Sequence, residues 1–93
     1  MKATLLKKER IRLSDDSFVD VSIWETPEPV SGSGHCYKYS LAYITQGVCA
    51  LRYDNEAGKG DHRHTGKKEA LYEFSSLERL VEDFWSDVAQ LGG

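Results

Sequence analysis

Apolar and polar residues alternate along the first two thirds of the chain, a pattern typical of strands with one buried face. The first two strands are predicted at residues 3–13 and 18–25, on either side of the polar turn at residues 14–17. Pro27 and Pro29 end the second strand, because proline cannot donate a hydrogen bond to a neighbouring strand. A connection rich in serine and glycine follows these prolines.

The same alternation continues through the middle of the chain. Four further strands are predicted at residues 35–44, 48–54, 61–65 and 69–74. Gln46 and Gly47 lie between the first two of them, and a two-residue turn containing glycine is a strong hairpin signal. A glycine-rich loop at residues 55–60 separates the fourth and fifth strands.

The C-terminal segment has helical rather than strand periodicity. Its apolar residues recur at spacings of three and four: Leu77, Leu80, Val81, Phe84, Trp85, Val88 and Leu91. Ser75 and Glu78 form a predicted capping box, and Gly92 ends the helix. The sequence therefore predicts one α+β domain over residues 1–93: an antiparallel β-meander of about five to six strands, then one amphipathic helix packed on the sheet.

Composition supports a single folded domain. The chain is 40% hydrophobic and 29% charged, a composition that is too apolar for a disordered chain. Its 93 residues are too few for two hydrophobic cores. Residues 1–10 lack the apolar stretch of a signal peptide, and no apolar segment approaches the roughly 20 residues of a membrane span. We expect a soluble, cytoplasmic protein with no membrane partner.

The net charge of −3 is distributed unevenly. Residues 35–68 carry a net charge of +3 and contain all three histidines, whereas residues 69–93 carry −5. An acidic protein can thus present a basic surface that attracts nucleic acid.

The most chemically informative segment runs from Arg52 to His64. Because alternate residues of a strand share a face, His62 and His64 point to one side and Asp61 and Arg63 to the other. By the same rule, Arg52 and Asp54 share a face, with Tyr53 opposite. If these two strands pair across the glycine-rich loop, two imidazoles, a guanidinium and a carboxylate meet on one face.

This set of groups is what metal-independent cleavage of RNA requires. One group removes the proton of the ribose 2′-hydroxyl, another protonates the leaving oxygen, and a cation stabilises the charge at phosphorus. The predicted catalytic residues are His62, His64, Arg52 and Asp54. Substrate contacts are expected from the rest of the segment, namely Tyr53, Glu56, Lys59, Asp61 and Arg63. No cofactor is required.

Other interpretations of the segment remain open. The two histidines could bind a metal ion with Asp61 or Asp54 as the carboxylate ligand, which would make the protein a metal-dependent enzyme. Alternatively, the charged residues protect exposed sheet edges, or they bind a protein or nucleic acid without catalysis. Gly58-Lys59-Gly60 lacks the spacing of a phosphate-binding loop.

Several stretches of the sequence resemble a known family. They are MKATLLKKER, IWETPEPV and LRYDNEAGKGDHRH, followed by a Tyr-Phe-Ser stretch that leads into the final helix. Together they are similar to the TumE family of bacterial toxins. The resemblance implies a type II toxin that acts on RNA and is encoded beside an antitoxin with a helix-turn-helix, Xre-like domain. A homodimer is compatible with the sequence. The matching block carries Arg52, Asp54, Glu56, Lys59, Asp61, His62, Arg63 and His64.

Overall fold

The computed structural model describes residues 2–55 and 60–92. These residues form β1 (Thr4–Ser14), β2 (Ser17–Glu25), β3 (Tyr37–Thr45), β4 (Val48–Asp54), β5 (His62–Thr65), β6 (Lys68–Leu71) and α1 (Leu77–Gln90). The strands pair antiparallel in one sheet in the order β1-β2-β3-β4-β5-β6. The predicted β-meander followed by one C-terminal helix is confirmed.

Alternation in the strands produces the core. One face of the sheet contributes buried residues from β2, β3 and β4: Val19, Val21, Ile23, Tyr39, Leu41, Tyr43, Leu51 and Tyr53. Leu80, Phe84 and Val88 of α1 pack against this face. Burying an apolar side chain of this size contributes roughly 1.5–3 kcal/mol, so the sheet is stabilised mainly from this side. We call it the helix face and the other side the opposite face.

The tight turn between β3 and β4 forms as the sequence predicts. Gln46 and Gly47 both have positive φ angles, 51° and 75°. Two successive positive φ angles twist the chain in the sense that matches the flanking strands. The hairpin prediction is confirmed.

Two boundaries around the helix differ from the predicted ones. The helix is capped by Ser76, whose side chain accepts a hydrogen bond from the backbone nitrogen of Arg79 at 3.1 Å, and not by Ser75. β6 ends at Leu71 rather than at residue 74. The chain leaves the sheet there because Tyr72 donates a hydrogen bond to Asp83 of α1 and Phe74 stacks on His35.

β3 begins at Tyr37, two positions after the predicted start at residue 35. His35 instead lies in the segment before the strand, where its ring stacks on Phe74 with centroids 3.8 Å apart. Within the described residues, no helix is long and apolar enough to cross a membrane.

Candidate functional site

The chemically rich residues of β4 and β5 meet because the two strands pair directly. Arg52 lies opposite His64, and Asp54 lies opposite His62. All four residues point to the opposite face, since they are out of phase with the buried Leu51 and Tyr53. We refer to Arg52, Asp54, His62 and His64 as the β4–β5 cluster.

The cluster has a buried part and an accessible part. Asp54 is 8% exposed and His62 is 6% exposed. The His64 side chain is 35% exposed, and Arg52 is exposed. Arg52 makes no ion pair with any residue in the ranges 2–55 and 60–92.

His62 and Asp54 face each other in an unusual way. The Nδ1 atom of His62 lies 2.9 Å from the carbonyl oxygen of Gly60, which can only accept, so Nδ1 carries the hydrogen. The Nε2 atom lies 2.9 Å from Asp54 Oδ1. That contact lacks the alignment of a hydrogen bond, and Asp54 Oδ1 is buried without a hydrogen-bond partner among the described residues. We call these two residues the opposed pair.

His64 completes a group of three possible ligands. Its ring packs edge-on against that of His62, with centroids 4.8 Å apart. One ligand atom from each of Asp54, His62 and His64 lies within 4.8 Å of the others. The sequence left open whether Asp61 or Asp54 would be the carboxylate ligand of a metal ion. In the structure, Asp54 is the one that lies beside both histidines.

Asp61 belongs to a different pair, on the helix face. His35 Nε2 lies 2.8 Å from Asp61 Oδ2, while His35 Nδ1 accepts a hydrogen bond from the backbone nitrogen of Tyr37 at 3.2 Å. The hydroxyl of Tyr39 also donates to Asp61 Oδ2, at 2.6 Å. Burial and this hydrogen bond raise the pKa of Tyr39 above the ordinary value. We call His35 and Asp61 the bonded pair.

Arg63 and Tyr53 are also on the helix face. Arg63 Nη1 forms an ion pair with Asp87 of α1 at 3.1 Å, and the Tyr53 hydroxyl donates to the same carboxylate at 2.5 Å. Burial, with the hydrogen bond to Asp87, raises the pKa of Tyr53 to about 12. Arg63, Tyr53 and Asp61 thus join the sheet to other elements and do not meet the β4–β5 cluster.

Two other residues predicted to contact substrate, Glu56 and Lys59, lie outside the described residues. Sequence reasoning also missed two contributors to these sites. It did not anticipate the Gly60 carbonyl that orients His62, nor that Tyr39 bonds to Asp61. Neither contact could be recognised in the sequence. Every residue has a backbone carbonyl, and the alternation in β3 indicates only that Tyr39 is a core residue.

The fold and the cluster define a small α+β protein with a cluster of ionisable groups on the face of its sheet that the helix does not cover. A family model described as Toxin TumE matches residues 2–91 of the 93-residue chain. The chain therefore belongs to the TumE toxin family, and the resemblance noted in the sequence is confirmed. No curated protein and no solved structure matches it.

Proposed function

We propose that this toxin cleaves RNA, and that the β4–β5 cluster carries out the reaction without a metal ion. The observation that supports this most directly is the placement of two imidazoles beside an exposed guanidinium on one sheet face. A surface that only protected a sheet edge would not need a buried carboxylate and a buried imidazole with a second imidazole packed beside them.

The groups suit an in-line transfer at phosphorus. The ribose 2′-oxygen forms a bond to the adjacent phosphorus while the bond from phosphorus to the 5′-oxygen breaks. We assign removal of the 2′-hydroxyl proton to His64, which is the more accessible imidazole. We assign to His62 the return of a proton to the departing 5′-oxygen. Its Nε2 atom lies 2.9 Å from Asp54 Oδ1.

Arg52 is assigned to the phosphate. Its guanidinium can bind two phosphate oxygens at once and stabilise the negative charge that develops on them. Arg52 and His64 lie directly opposite each other in the β4–β5 register, so one phosphodiester can contact both. We do not assign this role to Arg63, because its guanidinium forms an ion pair with Asp87 on the helix face.

Cleavage of a labelled RNA in EDTA tests the proposal. The variants are His64→Ala and Arg52→Ala, both at accessible positions, with Lys67→Ala as a matched control for loss of an exposed cation. We expect His64→Ala to lower the rate by about a hundredfold or more, and Lys67→Ala to leave it unchanged. No cleavage by the unaltered protein, or equal cleavage by His64→Ala, would contradict the proposal.

A growth assay separates catalysis from simple binding. A non-catalytic module would still inhibit growth when His64 is replaced, provided that the protein is folded. A ribonuclease would lose toxicity in parallel with its cleavage rate. Circular dichroism of each variant shows whether the fold is retained.

We also propose that the toxin is neutralised by an antitoxin with a helix-turn-helix, Xre-like domain, as the family resemblance implies. Co-expression with the product of the adjacent gene should restore growth and yield a complex in gel filtration. The same column reports whether the toxin alone is a homodimer. Failure of the neighbouring gene to restore growth would contradict the antitoxin assignment.

A further inference from the structure

The opposed pair contains two hydrogen-bond acceptors at contact distance. The Gly60 carbonyl fixes the hydrogen of a neutral His62 ring on Nδ1, so Nε2 presents a lone pair. Asp54 Oδ1 lies 2.9 Å from that lone pair. Two buried acceptors this close repel each other unless a cation lies between or beside them.

The angle at which Asp54 Oδ1 approaches His62 Nε2 fits a shared metal ion better than a shared proton. A proton on Nε2 would point along the ring axis, and Oδ1 does not accept it in hydrogen-bond geometry. Two ligands in adjacent positions of an octahedral ion, each about 2.1 Å from it, are about 3.0 Å apart and lie off each other's axes. The separation of 2.9 Å between Nε2 and Oδ1 matches that arrangement.

The surroundings of His62 are also those of a metal ligand. Metal-bound histidines usually donate the other ring N–H to a carbonyl or carboxylate, which fixes the ring. Gly60 supplies this carbonyl, and a residue with a side chain does not fit there because its Cβ atom would lie 2.8 Å from the Gly32 carbonyl oxygen. His64 brings a second imidazole to within 4.8 Å of the other ligand atoms.

We propose that Asp54, His62 and His64 bind a divalent transition-metal ion. Two imidazoles and one carboxylate favour zinc, cobalt, nickel or manganese over magnesium and calcium, which prefer oxygen ligands. A bound ion occupies the lone pairs that proton transfer requires. The ion should therefore inhibit RNA cleavage. This inhibition rests on the proposed ribonuclease function, but metal binding does not depend on it.

The bonded pair provides a matched control within the same chain. His35 and Asp61 are the same residue types at 2.8 Å, but both ring nitrogens of His35 are used in hydrogen bonds. Replacing His35 with glutamine removes an imidazole without touching the proposed ligands. It should not change metal binding.

Cobalt(II) titration of EDTA-treated protein tests the site, because bound cobalt has visible absorption that reports its ligands. We expect one ion per chain, binding weakened by about ten- to a hundredfold or more in Asp54→Asn and His64→Gln, and unchanged binding in His35→Gln. Magnesium alone should not compete. Absence of cobalt binding by the unaltered protein, or equal weakening in His35→Gln, would overturn the site.

RNA cleavage with and without zinc then tests the competition. We expect full activity in EDTA and its loss when one equivalent of zinc is added. Stimulation by zinc would overturn the competition and the metal-independent mechanism while leaving the metal site intact. Metal binding without any cleavage in either condition would instead contradict the proposed ribonuclease and leave the binding site supported.

Discussion

Two histidine–carboxylate pairs lie on opposite faces of this sheet, and their nearly equal distances conceal different chemistry. In the bonded pair, His35 Nε2 and Asp61 Oδ2 are 2.8 Å apart. In the opposed pair, His62 Nε2 and Asp54 Oδ1 are 2.9 Å apart. All four residues are largely buried, so neither burial nor distance separates the two pairs.

The difference comes from what holds the second ring nitrogen. The backbone N–H of Tyr37 donates to His35 Nδ1, which leaves the hydrogen of a neutral ring on Nε2, facing Asp61. The Gly60 carbonyl accepts from His62 Nδ1, which leaves a lone pair on Nε2, facing Asp54. One backbone group thus makes the first pair a stable hydrogen bond, and the other leaves the second pair as two acceptors that face each other.

This contrast predicts opposite responses to the same substitution. Asp61→Asn should destabilise the protein by about 2 kcal/mol, because Asp61 accepts charge-assisted hydrogen bonds from His35 and Tyr39. The free energy of unfolding from urea denaturation at pH 8 in EDTA measures this. A loss below about 0.5 kcal/mol, the usual range for surface positions, would show that the hydrogen bonds to Asp61 contribute little to the stability of the fold.

The fold was predictable because its signals are local and repeated. Alternation in β2 and the Gln46-Gly47 turn act over a few residues, and α1 repeats one apolar pattern over several turns. The boundaries were less predictable because distant contacts decide them. β6 ends early when Tyr72 bonds to Asp83, eleven residues away along the chain.

For the candidate site, the sequence predicted which residues share a face but not the contacts that they make there. Because successive side chains of a strand point to opposite faces, the sequence predicted His62 and His64 on one face and Arg63 on the other. The chemistry within each face depended on groups far away in the sequence: His35 meets Asp61 across 26 residues. Which atom of His62 carries the hydrogen depends on a backbone carbonyl, and no residue pattern specifies that.

Alkaline pH should destabilise the protein through Tyr39, whose hydroxyl donates a hydrogen bond to Asp61. The raised pKa of Tyr39 means that the folded state keeps this proton when the unfolded chain has lost it, above about pH 10. The stabilisation is thus present below that pH and is lost as the pH rises. For one proton the slope is about 1.4 kcal/mol per pH unit.

Tyr39→Phe should reduce this slope, as measured by urea unfolding between pH 8 and pH 11. Some slope should remain, because the pKa values of Tyr53 and Tyr72 are also raised by burial and hydrogen bonds to α1. Glu82→Gln, which removes an exposed carboxylate of α1 that does not act on Tyr39, serves as the control and should leave the slope unchanged. An identical slope in Tyr39→Phe would contradict the assignment to Tyr39.

The smallest and most diagnostic effect is expected at Asp54. In Asp54→Asn, a neutral amide replaces the carboxylate that faces the His62 Nε2 lone pair, so the repulsion between the two buried acceptors decreases. We expect the metal-free protein at pH 8 to gain about 1 kcal/mol in the free energy of unfolding, while the same change at Asp61 costs stability. Zinc should reverse the order, since ligand binding stabilises only the folded protein that retains the site. If Asp54→Asn loses stability in EDTA, the pair is already satisfied by a proton, and the argument for a metal ion fails with it.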